Sequence, residues 1–446
     1  MKRRFILVDH SLSRVGGHEF DYAVNVLQAA EAAGYTVVLA ANRRFGGGCG
    51  LPDHWPVFPL FPHTAYSKHC VSMGGHRHLP LGWDGRRLPD DDEGGAPQRL
   101  GRTGAGGAWS PGDWFRRIGC RRRIDGFARA CERLFERTGL CATDDVLLAT
   151  VTEFDLLGLS RYLAIHPESR SACWHLQFHF NLFEGCRTDE AEQERRLAAV
   201  RRQFRHALDR VPHHRIRFYN TTVPLADQYN RLDVATFRHL PYPVSPALSC
   251  QSRSPGVPVR VTCAGGMRKE KRLEELRTVV RALREGPPPN AGIELLVQLP
   301  PGEHRRLMSQ SGTAAAGAEV RVSRFSHPLP VEAYHELIHR TDIGLFLYDS
   351  GRYRMRCSSI LLEMLAAGKP VIVPSGCWLA EQVAEASAAG RVGLIAARSQ
   401  DVPALLRDMV QHHAQYRKAA EAFSRQCIEA HHPDRTIEIL RANGAD

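Results

Sequence analysis

Residues 341–383 read TDIGLFLYDSGRYRMRCSSILLEMLAAGKPVIVPSGCWLAEQV. The spacing predicts a strand, a loop, a helix and a second strand. Ile343 to Tyr348 is a short apolar run of the length expected for a buried parallel strand. Gly351 and the polar run through Arg356 form the loop. Ser358 or Ser359 stands where a residue would cap a helix carrying Ile360, Leu361, Met364 and Leu365 inward. Gly368-Lys369-Pro370 ends that helix, and Val371-Ile372-Val373 is the next strand. Arg356, Ser358, Ser359 and Glu363 therefore gather where a parallel strand hands over to a helix. Open α/β sheets bind phosphorylated ligands at such places. Free N–H groups and Ser hydroxyls suit a diphosphate, Arg356 adds a charge-assisted fork, and Glu363 can accept from a ribose diol. On pattern alone, a plain βαβ unit with a solvated Glu and a surface Arg accounts for the same residues.

The rest of the chain sets the frame. Its 446 residues suggest two or three domains, and 43% hydrophobic content is ordinary for a globular protein. No run of eighteen apolar residues suggests a membrane span. Phe5 to Val8, stopped by Asp9 and His10, reads as a first buried strand rather than a signal peptide. Twelve cysteines without a Cys-x-x-Cys pair point to reduced thiols in a cytoplasmic protein. The formal net charge of +11 favours anionic partners, but no long basic block is interleaved with aromatics, so a nucleic-acid role is set aside.

Two strand–helix arrays emerge. The first spans residues 1–244 and opens with a strand, the turn at Gly16-Gly17 and an amphipathic helix. A flexible insert occupies about 46–112, with its Gly-, Pro- and Asp-rich stretch at Arg86 to Gly112. Ser245 to Val257, rich in Ser and Pro, reads as a linker. The second array spans 258–430, and 431–446 is left as a C-terminal tail. This pattern predicts an α/β protein with two doubly wound, Rossmann-like domains.

The 341–383 stretch resembles the donor-binding motif of retaining GT-B glycosyltransferases, most nearly glycosyltransferase family 4 (group 1). That motif has two Glu residues separated by seven others, a helix, a small-residue turn and Pro-Val-Ile. Glu363 matches the second Glu, while Met355 stands in place of the first, which in the family touches the transferred sugar. Tyr353, Arg356 and Ser358-Ser359 fit members that carry Tyr, Arg and Ser in this loop. The resemblance covers nearly the whole chain outside the insert. It implies two Rossmann-like domains facing each other across a cleft. It also implies metal-independent transfer, with retention, of a hexose-type sugar from a nucleotide-sugar to a glycan, lipid-linked or small-molecule acceptor, as in polysaccharide biosynthesis. No cofactor is implied beyond the substrates.

Further residues take their places in that scheme. The turn Gly265-Gly266-Met267-Arg268-Lys269-Glu270-Lys271 follows the first strand of the second array. Its glycines allow close backbone approach, and its cations suit phosphate. The family's turn is often Arg-x-Glu-Lys-Gly, which assigns Arg268 and Lys271 to the diphosphate; Arg272 replaces the usual Gly. By the same resemblance, Gly16 and Gly17 reach the donor phosphates or the acceptor from the first domain. His179, with His175 as second choice, faces the sugar. Glu363 is the ribose ligand and shares the catalytic assignment with His179. Zinc at Cys173, His175 and His179 lacks a fourth ligand, so no metal is expected there. A basic helix side with Arg121, Arg122, Arg123, Arg129 and Arg133, after Trp114 and Phe115, reads as a solvated face or as a peripheral contact with the anionic inner face of a membrane. An epimerase on the same fold, or a non-catalytic carbohydrate- or partner-binding module, are the alternatives, the latter prompted by Met355.

Overall fold

The computed structural model describes residues 3–46, 50–66, 88, 111–183, 190–251, 256–266, 271–286, 292–299, 301–310 and 320–444, excluding the side chains of 111–117, 310 and 389. The chain divides into two compact units. One comprises Met1–Arg14, Gly34–His239 and Leu440–Asp446; the other comprises Val15–Ala33 and Leu240–Ile439.

The first unit is built on a parallel sheet of β1 (Arg4–Asp9), β2 (Thr36–Asn42), β3 (Val57–Phe61), β4 (Asp145–Val151), β5 (Cys173–Phe178), β6 (Arg215–Asn220) and β7 (Phe237–His239). Their order is β3-β2-β1-β4-β5-β6-β7, so the direction of strand addition reverses between β1 and β4. β4 is buried along its whole length, as expected where a parallel strand is covered on both faces. The unit's helices include α2 (Pro111–Thr138), α3 (Glu153–Ile165), α4 (Glu190–Leu208) and α5 (Val223–Asn230).

In the second unit a parallel sheet runs β10-β9-β8-β11-β12-β13. These strands are β8 (Val259–Cys263), β9 (Ile293–Gln298), β10 (Val320–Phe325), β11 (Ile343–Leu345), β12 (Val371–Pro374) and β13 (Gly393–Ala396). This is the doubly wound order, with its switch point between β8 and β11. Among its helices are α6 (Leu273–Glu285), α7 (Pro301–Gln310), α8 (Val331–Arg340), α9 (Ser359–Ala366), α10 (Trp378–Ala386), α11 (Val402–Gln411) and α12 (His413–Ala430). Val261, Leu295 and Ile343 from the strands pack with Leu276 and Leu406 from the helices in one core.

Four expectations are corrected. The insert expected over 46–112 contains β3, which pairs with β2 at the sheet edge and buries Phe61. Pro59 within VFPLF disguised it, and an edge strand is where a sheet tolerates proline. Most of 86–112 lies outside the described residues. The tail at 431–446 carries helix α13 (Pro433–Gly444), and its last residues group with the first unit. The strand at Ile343 to Tyr348 stops at Leu345, and Phe346 to Tyr348 continue as buried irregular chain. Helix α1 (His18–Ala32), expected in the first domain, groups with the second unit. There Tyr22 packs on Tyr242 at 5.5 Å, and the Tyr242 hydroxyl donates to His18 O at 3.1 Å.

Candidate donor-binding site

At the switch point of the second sheet, β8 is followed by Ala264-Gly265-Gly266. Gly265 has φ +77°, and a Cβ there would collide with the Lys271 ammonium and with Ile360, so only glycine fits. Its N–H donates to Gln298 Oε1 at the end of β9. A Cβ on Gly266 would strike the His327 ring. Lys271 is only 8% exposed. Its ammonium donates to Ala264 O at 3.0 Å and sits 5.1 Å from the centre of the Tyr348 ring, so the cation is held beside the glycine turn. Arg272, where the family pattern has Gly, keeps the glycine-like backbone with φ 48°. It pairs with Asp349 at 2.8 Å.

The second part of the site is the start of α9. Ser358 is its N-cap, with Oγ accepting from Leu361 N at 3.3 Å. Ser359 is the first helical residue. Arg356 is half-buried, 5.7 Å from the Tyr353 ring, which itself lies 4.6 Å from the Tyr348 ring. Glu363, one turn into α9, is 5% exposed and accepts a hydrogen bond from the Tyr334 hydroxyl of α8 at Oε2. Burial pushes its carboxyl up to about 7, against the opposing pull of the Tyr334 bond and the Lys271 charge.

The Gly16-Gly17 turn also belongs to this unit. Gly16 has φ +81°, and a Cβ on it would sit 2.6 Å from Leu329 O. Beyond it on α1, Asp21 is pushed up to about 8 by burial and then by the charges of Glu363, Glu332 and Glu19. The structure thus groups Gly265, Gly266, Lys271, Ser358, Ser359 and Glu363 around one switch point, with Arg356 in the same loop. Arg268 lies outside the described residues.

His179 follows β5 in the first unit, where its Nε2–H donates to Ala149 O. His175 does not serve as second choice, because it is fully buried beside Asp145 near the start of β4 and β5. Sequence reading missed a polar cluster at the ends of β1 and β4. Asp155 takes a 2.9 Å ion pair from Arg123 and a 3.1 Å contact from His10 Nε2. These partners hold its carboxyl far below the usual range despite burial. Thr152 and Asp155 form the capping box of α3, and the Thr-x-x-Asp spacing was the available signal. Glu153, fully buried, is pushed up to about 7 by burial. Arg123 therefore leaves the basic face, which keeps exposed Arg121, Arg122, Arg129 and Arg133; the side chains of Trp114 and Phe115 lie outside the described residues. Tyr334 and Asp21 were also missed, since their spacing reads only as helix.

No helix among the described residues is long and apolar enough to cross a membrane. No protein-family model matches the chain, and no curated protein matches its sequence. Solved structures do match over the full length. A trehalose-6-phosphate synthase, OtsA, aligns with TM-score 0.62 at 12% identity, covering 99% of this chain and 99% of that one. Sucrose-phosphate synthase from Thermosynechococcus elongatus aligns with TM-score 0.61 at 13% identity, covering 99% and 98%. Anabaena HepE in complex with UDP aligns with TM-score 0.57 at 10% identity, covering 98% and 99%. With two doubly wound parallel sheets and full-length matches to these proteins, the chain has the fold of the GT-B glycosyltransferases.

Proposed function

We propose that the protein is a glycosyltransferase that moves a sugar from a nucleotide-sugar donor to a glycan, lipid-linked or small-molecule acceptor, with retention and without a metal at the diphosphate. The observation that carries this reading is the set formed by buried Lys271, the Ser358-capped start of α9 and Glu363 at one switch point. The UDP bound to HepE, a protein of the same fold, supports a nucleoside diphosphate as the occupied half of the donor.

In this reading the free N–H groups of Ser359 and its neighbours, together with Lys271 and Arg268, receive the diphosphate. They stabilise its charge as the bond from the sugar's anomeric carbon to the diphosphate oxygen breaks, the contribution most worth having in such a transfer. The acceptor oxygen bonds to the same carbon, and its proton passes to the departing diphosphate. In this reading the leaving diphosphate serves as the base. Tyr334 occupies one oxygen of Glu363 and leaves the other for a ribose hydroxyl. His179 orients the sugar. Gly16 and Gly17 bring backbone N–H groups to the donor.

Calorimetry with nucleoside diphosphates tests the site. Lys271→Ala and Arg268→Ala should each weaken binding ten- to a hundred-fold, about 1.5–3 kcal/mol for a charge-assisted contact. Unchanged affinity in both variants overturns the assignment. Met355 in the place of the family's first acid favours a second reading, a non-catalytic module on the same fold. A nucleotide-sugar panel with mass balance separates them, because transfer yields free nucleoside diphosphate, epimerisation yields only an isomeric donor, and the module yields neither.

A further inference from the structure

We propose that Asp145, Cys173 and His175 form a zinc site at the amino-terminal edge of the first sheet, away from the strand ends where this fold binds substrates. Asp145 opens β4 and Cys173 opens β5, and the two are partners in register. His175, two residues on, shares a sheet face with Cys173. All three are buried. One carboxylate oxygen, one ring nitrogen and the sulfur lie within 4.8 Å of one another, the one such grouping among the described residues.

The details favour a metal over a plain ion pair. His175 Nε2 and Asp145 Oδ1 are 3.4 Å apart, long for a hydrogen bond. That separation is nevertheless about the edge of a tetrahedron with bonds of ~2.0–2.1 Å to zinc. The sulfur lies within 4.8 Å of both, so it needs to close in by at most about 1 Å, within reach of side-chain torsions. The atoms turned away from the site are already held. His175 Nδ1 contacts the Tyr219 hydroxyl at 3.1 Å, and Asp145 Oδ2 accepts from Tyr35 at 2.8 Å and from Arg3 at 3.1 Å. Such outer partners fix the orientation of metal ligands. Gly444 of α13 packs beside the site. A Cβ on it would lie 3.6 Å from Asp145 Oδ1, 3.7 Å from Cys173 Sγ and 3.9 Å from His175 Cε1, so the three ligands converge under one glycine.

A thiolate, an imidazole and a carboxylate suit zinc rather than magnesium or calcium, with water as the fourth ligand. Binding breaks the Cys173 S–H bond and releases that proton to solvent. The thiolate and carboxylate together balance the divalent charge. Zinc here would tie β4, β5 and the end of α13 together.

Full-length protein prepared without a metal-binding tag is assayed for bound zinc, stripped with chelator, and titrated with zinc chloride and cobalt chloride. About one zinc per chain, a melting temperature raised by several degrees on zinc addition, and a thiolate-to-cobalt charge-transfer band are expected. Cys173→Ser should lose the zinc and the band, while Cys141→Ser keeps both. Wild-type protein that takes up no zinc and whose melting temperature ignores both zinc and chelator overturns the site and leaves an Asp145–His175 ion pair. If Cys173→Ser does not fold, cobalt bound to the wild type without the thiolate band overturns it equally.

Discussion

Glu363 is the residue on which the proposed donor site turns, and its titration follows from its surroundings. Its carboxyl is raised from 4.5 to about 7, and that of Asp21 from 3.8 to about 8, burial being the first cause in both. Glu332 and Glu19 add to the acidic surroundings, Tyr334 hydrogen-bonds to Glu363, and Lys271 opposes. A raised carboxyl keeps its proton in the folded chain after the unfolded chain has lost it. Its contribution to stability is complete below the unfolded value and is lost as pH rises through the folded one. The ligand-free protein should lose stability from these groups between about pH 4 and pH 8. Glu363→Gln removes one of the two, so melting temperature plotted against pH should flatten across that window. Parallel curves for variant and wild type would count against the buried carboxyl. The same variant should lower turnover at least tenfold, because Gln replaces one ribose acceptor by a donor. Glu363, Ser358 and Lys271 were legible because motif spacing survives in sequence. Tyr334 and Asp21 were not, because what matters in them is nearness to Glu363, which is distant in sequence, and VEAYHELIHR and HEFDYAVNV spell only amphipathic helices.

At the scale of elements, glycine turns fix where helices begin. Gly16 combines φ +81° with Leu329 O at 2.6 Å from any added Cβ. Gly16→Ala must therefore strain the backbone and push α1 away from the segment before α8. A left-handed residue with a Cβ costs about 1–2 kcal/mol, and the clash adds to it. Melting temperature should fall by several degrees, with donor binding weakened as well. An alanine variant that melts like the wild type would mean that the turn readily takes another path. Arg272 shows the reverse case. The family pattern asks for Gly, the sequence supplies Arg, and the backbone still takes φ 48° with the side chain tied to Asp349. Strand signals were legible where apolar and β-branched residues run together, as in Thr36–Asn42 and Asp145–Val151. They failed at β3, where Pro59 interrupts the run, and at β7, whose three residues are too short to show a period.

Over the whole molecule, the net charge of +11 asks for a partner of opposite sign. The two sheets were legible as two arrays because each repeats strand and helix, whereas the return of the last residues to the first unit depends on contacts distant in sequence. Arg217 and Arg238 hold Asn443 there, at its carbonyl oxygen (2.9 Å) and at its side-chain oxygen. The basic face of α2 carries part of that charge. Arg121, Arg122, Arg129 and Arg133 are exposed, and Arg129 and Arg133 join Arg43 around a pocket of about 300 Å³ beside β3. Like charges four apart on a helix repel, a cost that an anionic surface would reverse. A lipid-linked acceptor, one of those proposed, would bring the protein to such a surface. Arg123 must stay out of the test, because it is 1% exposed and forks onto Asp155. Breaking a buried pair of that kind costs about 3–5 kcal/mol and would report unfolding instead. Changing Arg121, Arg122, Arg129 and Arg133 to Glu should leave the melting temperature close to wild type. It should release the protein from anionic vesicles, since each basic residue contributes about 1 kcal/mol near such a surface and four together roughly a thousandfold. Wild-type binding should favour anionic over neutral vesicles and weaken as salt shortens the screening length. Equal cosedimentation with both vesicle types, or with wild type and variant, would make this face an ordinary solvated helix and point to a soluble acceptor.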